Sequence, residues 1–376
     1  MPSHIAHLLF AEDVLRSALP GLIPPGQTDV RSALLLGAQG PDLFLHNRHR
    51  RPSGLHYGIV LHSKGSGTFC ASLLEFGLSG GEATADSKQN RCLKAYTAGY
   101  MTHIALDRTL HPYINVHAGW REPRRPETYG YHLNHVFLER IIDTYLAMNL
   151  RGVHPRHMQV WNNVNLTGDT AKYLLKAVAH AVFGSTRRGS QDPRLHRKIM
   201  NAYRDSTAYY AAIHDPDLLG ARRRLQQSKT AIPAWLRFIH PLSLPADPDL
   251  ANEARRPWRD PCSGAVQSSE SVLDLYWRAH SVATELLKAL EAAWAGDIPI
   301  FTKAYRNTAN AGDPLDESDY CAGEGLEGLI GNGDLSDSRR EGGPCRRVYM
   351  DVFDFSLVLR HAAQALIDAT EEDARP

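Results

Sequence analysis

Apolar residues recur every three to four positions along almost the whole chain, and this period narrows the fold more than any other feature. It runs through 4–18, 28–36, 57–78, 88–111, 129–149, 168–183, 193–214, 268–294 and 347–370. No stretch shows the convincing two-residue alternation of a half-buried strand, so the pattern predicts an all-α protein. Several segments open with N-cap chemistry: Thr28 before Asp29, Asp192 before Pro193, and Ser268. A chain of 376 residues that is 43% apolar can bury a large core. Three stretches read as loops: 37–56, 112–128, and 241–267 with its five prolines. Residues 302–346 are rich in glycine and acid and poor in large apolar side chains, which predicts a mobile excursion before the last helix. The expected organisation is a helical domain over 1–300, a loop insertion over 301–346, and a C-terminal helix within 347–376 packed on the same domain.

Charge excludes some functions. The 42 lysines and arginines nearly cancel the 41 acidic residues, so no global field marks a nucleic-acid or membrane-surface binder. The five cysteines lack CxxC spacing and are odd in number, which points to reduced thiols packed as small apolar groups. The start of the chain carries His4, His7, Glu12 and Asp13 within its apolar run, unlike a secretory leader, and no segment is long and apolar enough to span a bilayer. A cytoplasmic location is the expectation.

Histidine is unevenly placed: 13 of the 19 lie between His4 and His157. In "YMTHIALDRTLHPYI", His103 and Asp107 stand four apart and share a helix face, and His111 continues the stripe. Pro112 should end the helix there and turn His111 toward a different metal. In "HLNHVFLERIID", His135 and Glu139 repeat the spacing, and Asp143 extends the face by a turn. A carboxylate buried on an apolar helix needs a cation, and Arg108, adjacent to Asp107, should point elsewhere. Imidazoles and carboxylates on facing helices build metal sites, and the absence of nearby thiolates favours an open zinc site. Asp42 in "GAQGPDLF" and His62 in "LHSKGSGTF" are further candidates. Asp42 also reads as a turn residue after Gly-Pro. His56 competes with His62, while His4 and His132 read as outer partners or surface. Arg140 with Asp143 reads as surface charge.

Taken in order, "HIAHLLF", "LGAQGPDLF", "LHSKGSGTF", "GYMTHIALDRTLHPYI" and "HVFLERIID" resemble the zinc-dependent phospholipase C family, whose fold group includes the fungal single-strand nucleases. The resemblance implies a compact multi-helix bundle with two or three zinc ions in a cleft and hydrolysis of a phosphodiester by an activated water. By motif, Asp42, His62, His103 and Asp107 would hold one ion. His111, His135 and Glu139 would hold a second. Asp107 would bridge to a third beside His7 and the amine of Pro2, once Met1 is removed. Asp42 and Asp107 would be the catalytic carboxylates.

Substrate class stays open at this level. Leu43 and Phe44 could form an apolar rim for a lipid, and Tyr113, Trp120, Tyr129 and Tyr131 could stack unpaired bases. The arginine clusters at 47–52 and 121–127 read either as a phosphate-attracting cleft mouth or as solvated loops. A phosphate-ester small molecule or lipid head group is expected, with nucleic acid less favoured. An intracellular nuclease or phosphatase of the same fold, and a non-catalytic metal-stabilised scaffold, are the alternatives.

Overall fold

The computed structural model describes the chain apart from residues 1–3, 80–86, 159–163, 165, 167, 186–191, 214–217, 229–231, 266, 302–324, 343–344 and 370–376. Among the described residues the helices are α1 His4–Ala18, α2 Thr28–Ala38, α3 Asp42–Leu45, α4 Leu55–Ser63, α5 Ser66–Leu78, α6 Lys88–Ala118 and α7 Tyr131–Arg151. They continue with α8 Gly168–Ser185, α9 Leu195–Ile213, α10 Leu218–Gln227, α11 Val272–Ala295, α12 Leu326–Ile330 and α13 Phe355–Asp368. The described strand is one short antiparallel pair, β1 Trp258–Arg259 with β2 Gln267–Ser268. The protein is all-α.

Helix α6 is the axis of the fold. Neighbours enclose it on every side, and from Ala95 to Ala118 all of its residues are buried, polar ones included. Helices α1, α2, α5, α7, α8 and α11 pack around it. The α2 contact is closest because it is glycine on glycine: a Cβ on Gly37 would stand 2.0 Å from the Tyr96 carbonyl oxygen, and one on Gly99 would stand 2.1 Å from that of Leu34.

Several boundaries differ from the periodic pattern. The expected 57–78 helix is broken at Lys64 and Gly65, where Gly65 turns with φ +82°. Helix α6 does not stop at Pro112 but continues to Ala118. Proline costs about 3 kcal/mol inside a helix, and burying Tyr113, Ile114 and Val116 returns about 1.5–3 kcal/mol each. Helix α11 starts after Ser271, not Ser268, because Ser271 and Asp274 form a reciprocal capping box. Helix α13 starts only at Phe355, where the Asp354 carboxylate accepts the Ser356 and Leu357 amides.

The acid-rich segment also differs. Residues 302–324 lie outside the described part, but residues 325–337 are packed, with Leu326, Glu327, Ile330, Asp334, Leu335 and Asp337 all buried. Polar anchoring replaces apolar bulk there: the Glu327 carboxylate accepts the Thr68 hydroxyl at 2.7 Å and the Asn332 amide at 2.9 Å. Cys262 and Cys345 are joined as a disulfide, contrary to the expected free thiols, whereas Cys70 and Cys92 are buried and free. No helix among the described residues is long and apolar enough to cross a membrane.

Candidate metal centre

His103, Asp107 and His111 project from one face of α6 toward the ends of α1, α3, α4 and α7. The chain reaches this face from α2 through Gly40, whose φ of +54° turns it sharply. A Cβ on Gly40 would stand 2.4 Å from the His103 ring, so glycine alone lets the backbone pass. The turn places Asp42 at the first position of α3, and it leaves the Ala38 carbonyl 3.1 Å from His103 Nδ1.

Asp107 is the centre of the cluster. Its Oδ1 lies 3.1 Å from His7 Nε2, and its Oδ2 lies 3.0 Å from His103 Nε2, 3.5 Å from His111 Nδ1 and 4.0 Å from His62 Nε2. His62 Nε2 is 2.9 Å from Asp42 Oδ1. On the far side, Glu139 Oε1 stands 2.9 Å from His135 Nε2 and 3.7 Å from His111 Nε2. Three trios each offer ligand atoms within 4.8 Å of one another: His7, His103 and Asp107; Asp42, His62 and His103; His111, His135 and Glu139. Pro2 lies outside the described residues. His56 makes a ring contact with Tyr57 and belongs to none of the trios.

The orientation of the rings tests whether a cation fits. His62 Nδ1 donates to the Gly58 carbonyl at 2.8 Å and His103 Nδ1 to that of Ala38, so each Nε2 keeps its lone pair and turns it inward. Both then face carboxylate oxygens at about 3 Å without an aligned hydrogen bond: the two Asp42 oxygens, Asp107 Oδ2 and His103 Nε2 are buried and unpartnered. Electron pairs that face each other across such a gap need a shared positive charge. Two ligands of a tetrahedral zinc, each about 2.0–2.1 Å from the ion, stand roughly 3.3 Å apart. The residues present fit the ion.

Electrostatics agree. Burial alone would raise both aspartates, but the neighbouring imidazoles, His62 for Asp42 and His103 with His111 for Asp107, hold both carboxyls below the usual range. His111 moves the other way: against burial, Asp107 and Glu139 push it up to about 9. His103 and His135 are lowered, burial being the largest cause. The carboxylates thus draw positive charge from whichever group can supply it.

A support with no sequence signature comes from beyond α12. His111 Nδ1 lies 3.3 Å from the Leu335 carbonyl, and the Leu335 amide donates to the His62 carbonyl at 2.8 Å. Arg108 does point away from Asp107. Its guanidinium donates to the carbonyls of Ile330, Gly331 and Gly333 and so holds this loop against α6. His111 remains near Asp107 because its helix is not broken at Pro112.

Asp143 and Arg140 are fully buried, not surface charge, and Asp143 faces away from the cluster. Asp143 Oδ1 accepts the Ala6 amide at 2.7 Å and so caps the first turn of α1, which seats His7. Its Oδ2 accepts from Arg140 at 3.1 Å and from His240 at 3.0 Å. His4, Asp143 and His240 also converge within ligand distance, but the Arg140 guanidinium, 2.6 Å from His4 Nδ1, is the cation there.

Other expectations are corrected. Leu43 and Phe44 are buried in the core, so neither forms a rim. Tyr113 is enclosed and donates its hydroxyl to the Leu250 carbonyl at 3.0 Å, which removes it as a stacking platform. Arg50 pairs with buried Asp205, Arg125 with Glu122, and Arg121 lies over the Tyr129 ring at 4.3 Å. His132 is exposed and bonded to the Tyr129 carbonyl.

An all-α bundle with imidazoles and carboxylates converging on one buried aspartate defines a metal-centred helical protein. Residues 6–185, just under half of the chain, match the family described as zinc dependent phospholipase C. Every candidate ligand from His7 to Glu139 falls inside the match, whereas Leu335 and His240 lie beyond it. The matched family is one of zinc-dependent hydrolases of phosphoric esters. Neither the comparison with curated proteins nor that with solved structures returned a match.

Proposed function

We propose that this chain hydrolyses a phosphodiester at a centre of two or three zinc ions. The ligands are Asp42, His62, His103 and Asp107 for one ion, His111, His135 and Glu139 for another, and Asp107 with His7 for a third. The observation that carries this reading is the inward-facing, unpartnered set at Asp42, His103 and Asp107. Bound zinc would supply Lewis acidity and bring the pKa of water toward neutrality. Asp42 would orient that water and accept its proton. Asp107 would keep the ions adjacent, and the carbonyls of Ala38, Gly58 and Leu335 would hold the imidazoles in the ligating tautomer.

The enclosed positions of Leu43 and Phe44 remove the apolar rim considered for a lipid, and that of Tyr113 removes one of the four aromatics considered for a nucleobase platform, while Tyr129 stays exposed. The Cys262–Cys345 bridge favours an oxidising compartment over the cytoplasm expected from cysteine spacing. The test is hydrolysis of a bis-aryl phosphate, a phosphocholine ester and single-stranded DNA by zinc-loaded protein. Turnover of a small diester that a chelator abolishes and zinc restores is expected. Stoichiometric zinc with no turnover of any of the three would support a scaffold instead.

A further inference from the structure

His46 follows Asp42 by one turn at the end of α3, so the two side chains share a face. The ring is 5% exposed and stacks on Tyr209 with centroids 4.3 Å apart. Its tautomer is set by a relay. The Ser206 hydroxyl donates its single hydrogen to the Leu43 carbonyl at 2.8 Å, so it accepts from His46 Nδ1 at 3.3 Å. The proton is therefore on Nδ1, and Nε2 holds a lone pair. That nitrogen is buried and has no partner among the described residues. A buried donor in the same neighbourhood is also unpartnered: Nε of Arg140, whose Nη2 bonds the Tyr209 hydroxyl at 3.1 Å.

We infer that His46 Nε2 accepts a hydrogen bond from a hydroxyl on the alcohol portion of the substrate, which makes polyol phosphodiesters the preferred class. This rests on the phosphoesterase reading of the Asp42 side of the site. A hydroxyl can donate to the lone pair on His46 Nε2, and Tyr209 connects this ring to the Arg140 guanidinium. A cationic head group fits worse. The buried Arg140 charge opposes it, and the Tyr209 and Tyr210 rings are already stacked on His46 and His4.

The experiment compares zinc-loaded wild type with His46→Leu and His46→Gln on a glycerol phosphodiester and on a bis-aryl phosphate, which carries no hydroxyl. His46→Leu should lower the ratio of kcat/KM, glycerol over aryl, by about tenfold, the worth of one neutral hydrogen bond. His46→Gln, which keeps an acceptor, should restore most of it. Zinc content should match the wild type in both variants. An unchanged ratio overturns the inference. A second arm needs no turnover: in nitrogen-15 spectra of the wild type, glycerol 3-phosphate should move the His46 Nε2 resonance and inorganic phosphate should not. Equal responses, or none, overturn the assignment. If neither diester is hydrolysed, the phosphoesterase reading fails, while the spectra still decide the role of His46.

Discussion

Gly40 shows how one residue without a side chain decides the site. Its positive φ and the 2.4 Å approach to the His103 ring mean that Gly40→Ala must either shift the α2–α3 turn or tilt the imidazole. The expected result is a loss of at least about 1 kcal/mol in stability together with weaker zinc retention, read by denaturant titration and by metal content after dialysis. A variant as stable and as metal-rich as the wild type would show that the turn tolerates a Cβ. The convergence of the candidate ligands was legible in part, because helical spacing puts His103 above Asp107 and His135 above Glu139. Arg140 and Asp143 share that spacing logic yet serve another purpose. Pattern reports a shared face but not what that face meets, and here it meets the start of α1 and His240.

At the scale of elements, α6 carries the candidate metal-binding face and also anchors two later segments. Arg108 binds three carbonyls of the loop after α12, and that loop presents the Leu335 carbonyl to His111. Arg108→Leu should leave those carbonyls unpaired, destabilise the fold by about 1–3 kcal/mol each at most, and weaken the ion held by His111 more than that held by Asp42. Competition with a graded series of chelators would reveal this as one class of zinc lost first, and uniform loss would contradict it. The loop escaped sequence reasoning because its contribution comes from backbone carbonyls some two hundred residues from the ligands, and because glycine and acid resemble disorder when their hydrogen-bond partners are unseen.

Further along α6, His117 Nδ1 bonds the Asp351 carbonyl at 2.9 Å and the ring stacks on Phe353 at 4.4 Å. Burial pushes its pKa down to about 4, from 6.5 when unfolded. The unfolded chain therefore binds more protons between these values. The contribution of His117 is complete above about pH 6.5 and is lost as pH falls toward 4, on the order of 3 kcal/mol. His117→Gln should flatten this part of the pH–stability curve, and an unchanged slope would show that His117 does not titrate there.

Across the whole molecule, helical periodicity made the fold class readable, because a chain without strand alternation has few ways to bury its apolar faces. The register of contacts was not readable, since the α6 helix passes Pro112 only through the packing of other elements. The molecule gathers three acidic side chains, Asp42, Asp107 and Glu139, and five imidazoles in its interior, an arrangement that is costly unless cations complete it. Elemental analysis of purified, dialysed protein tests this most directly. Two or three zinc ions per chain are expected in the wild type, falling by at least one in Asp107→Ala with the helical content retained. Less than one ion per chain in a folded, zinc-supplemented wild type would contradict the account.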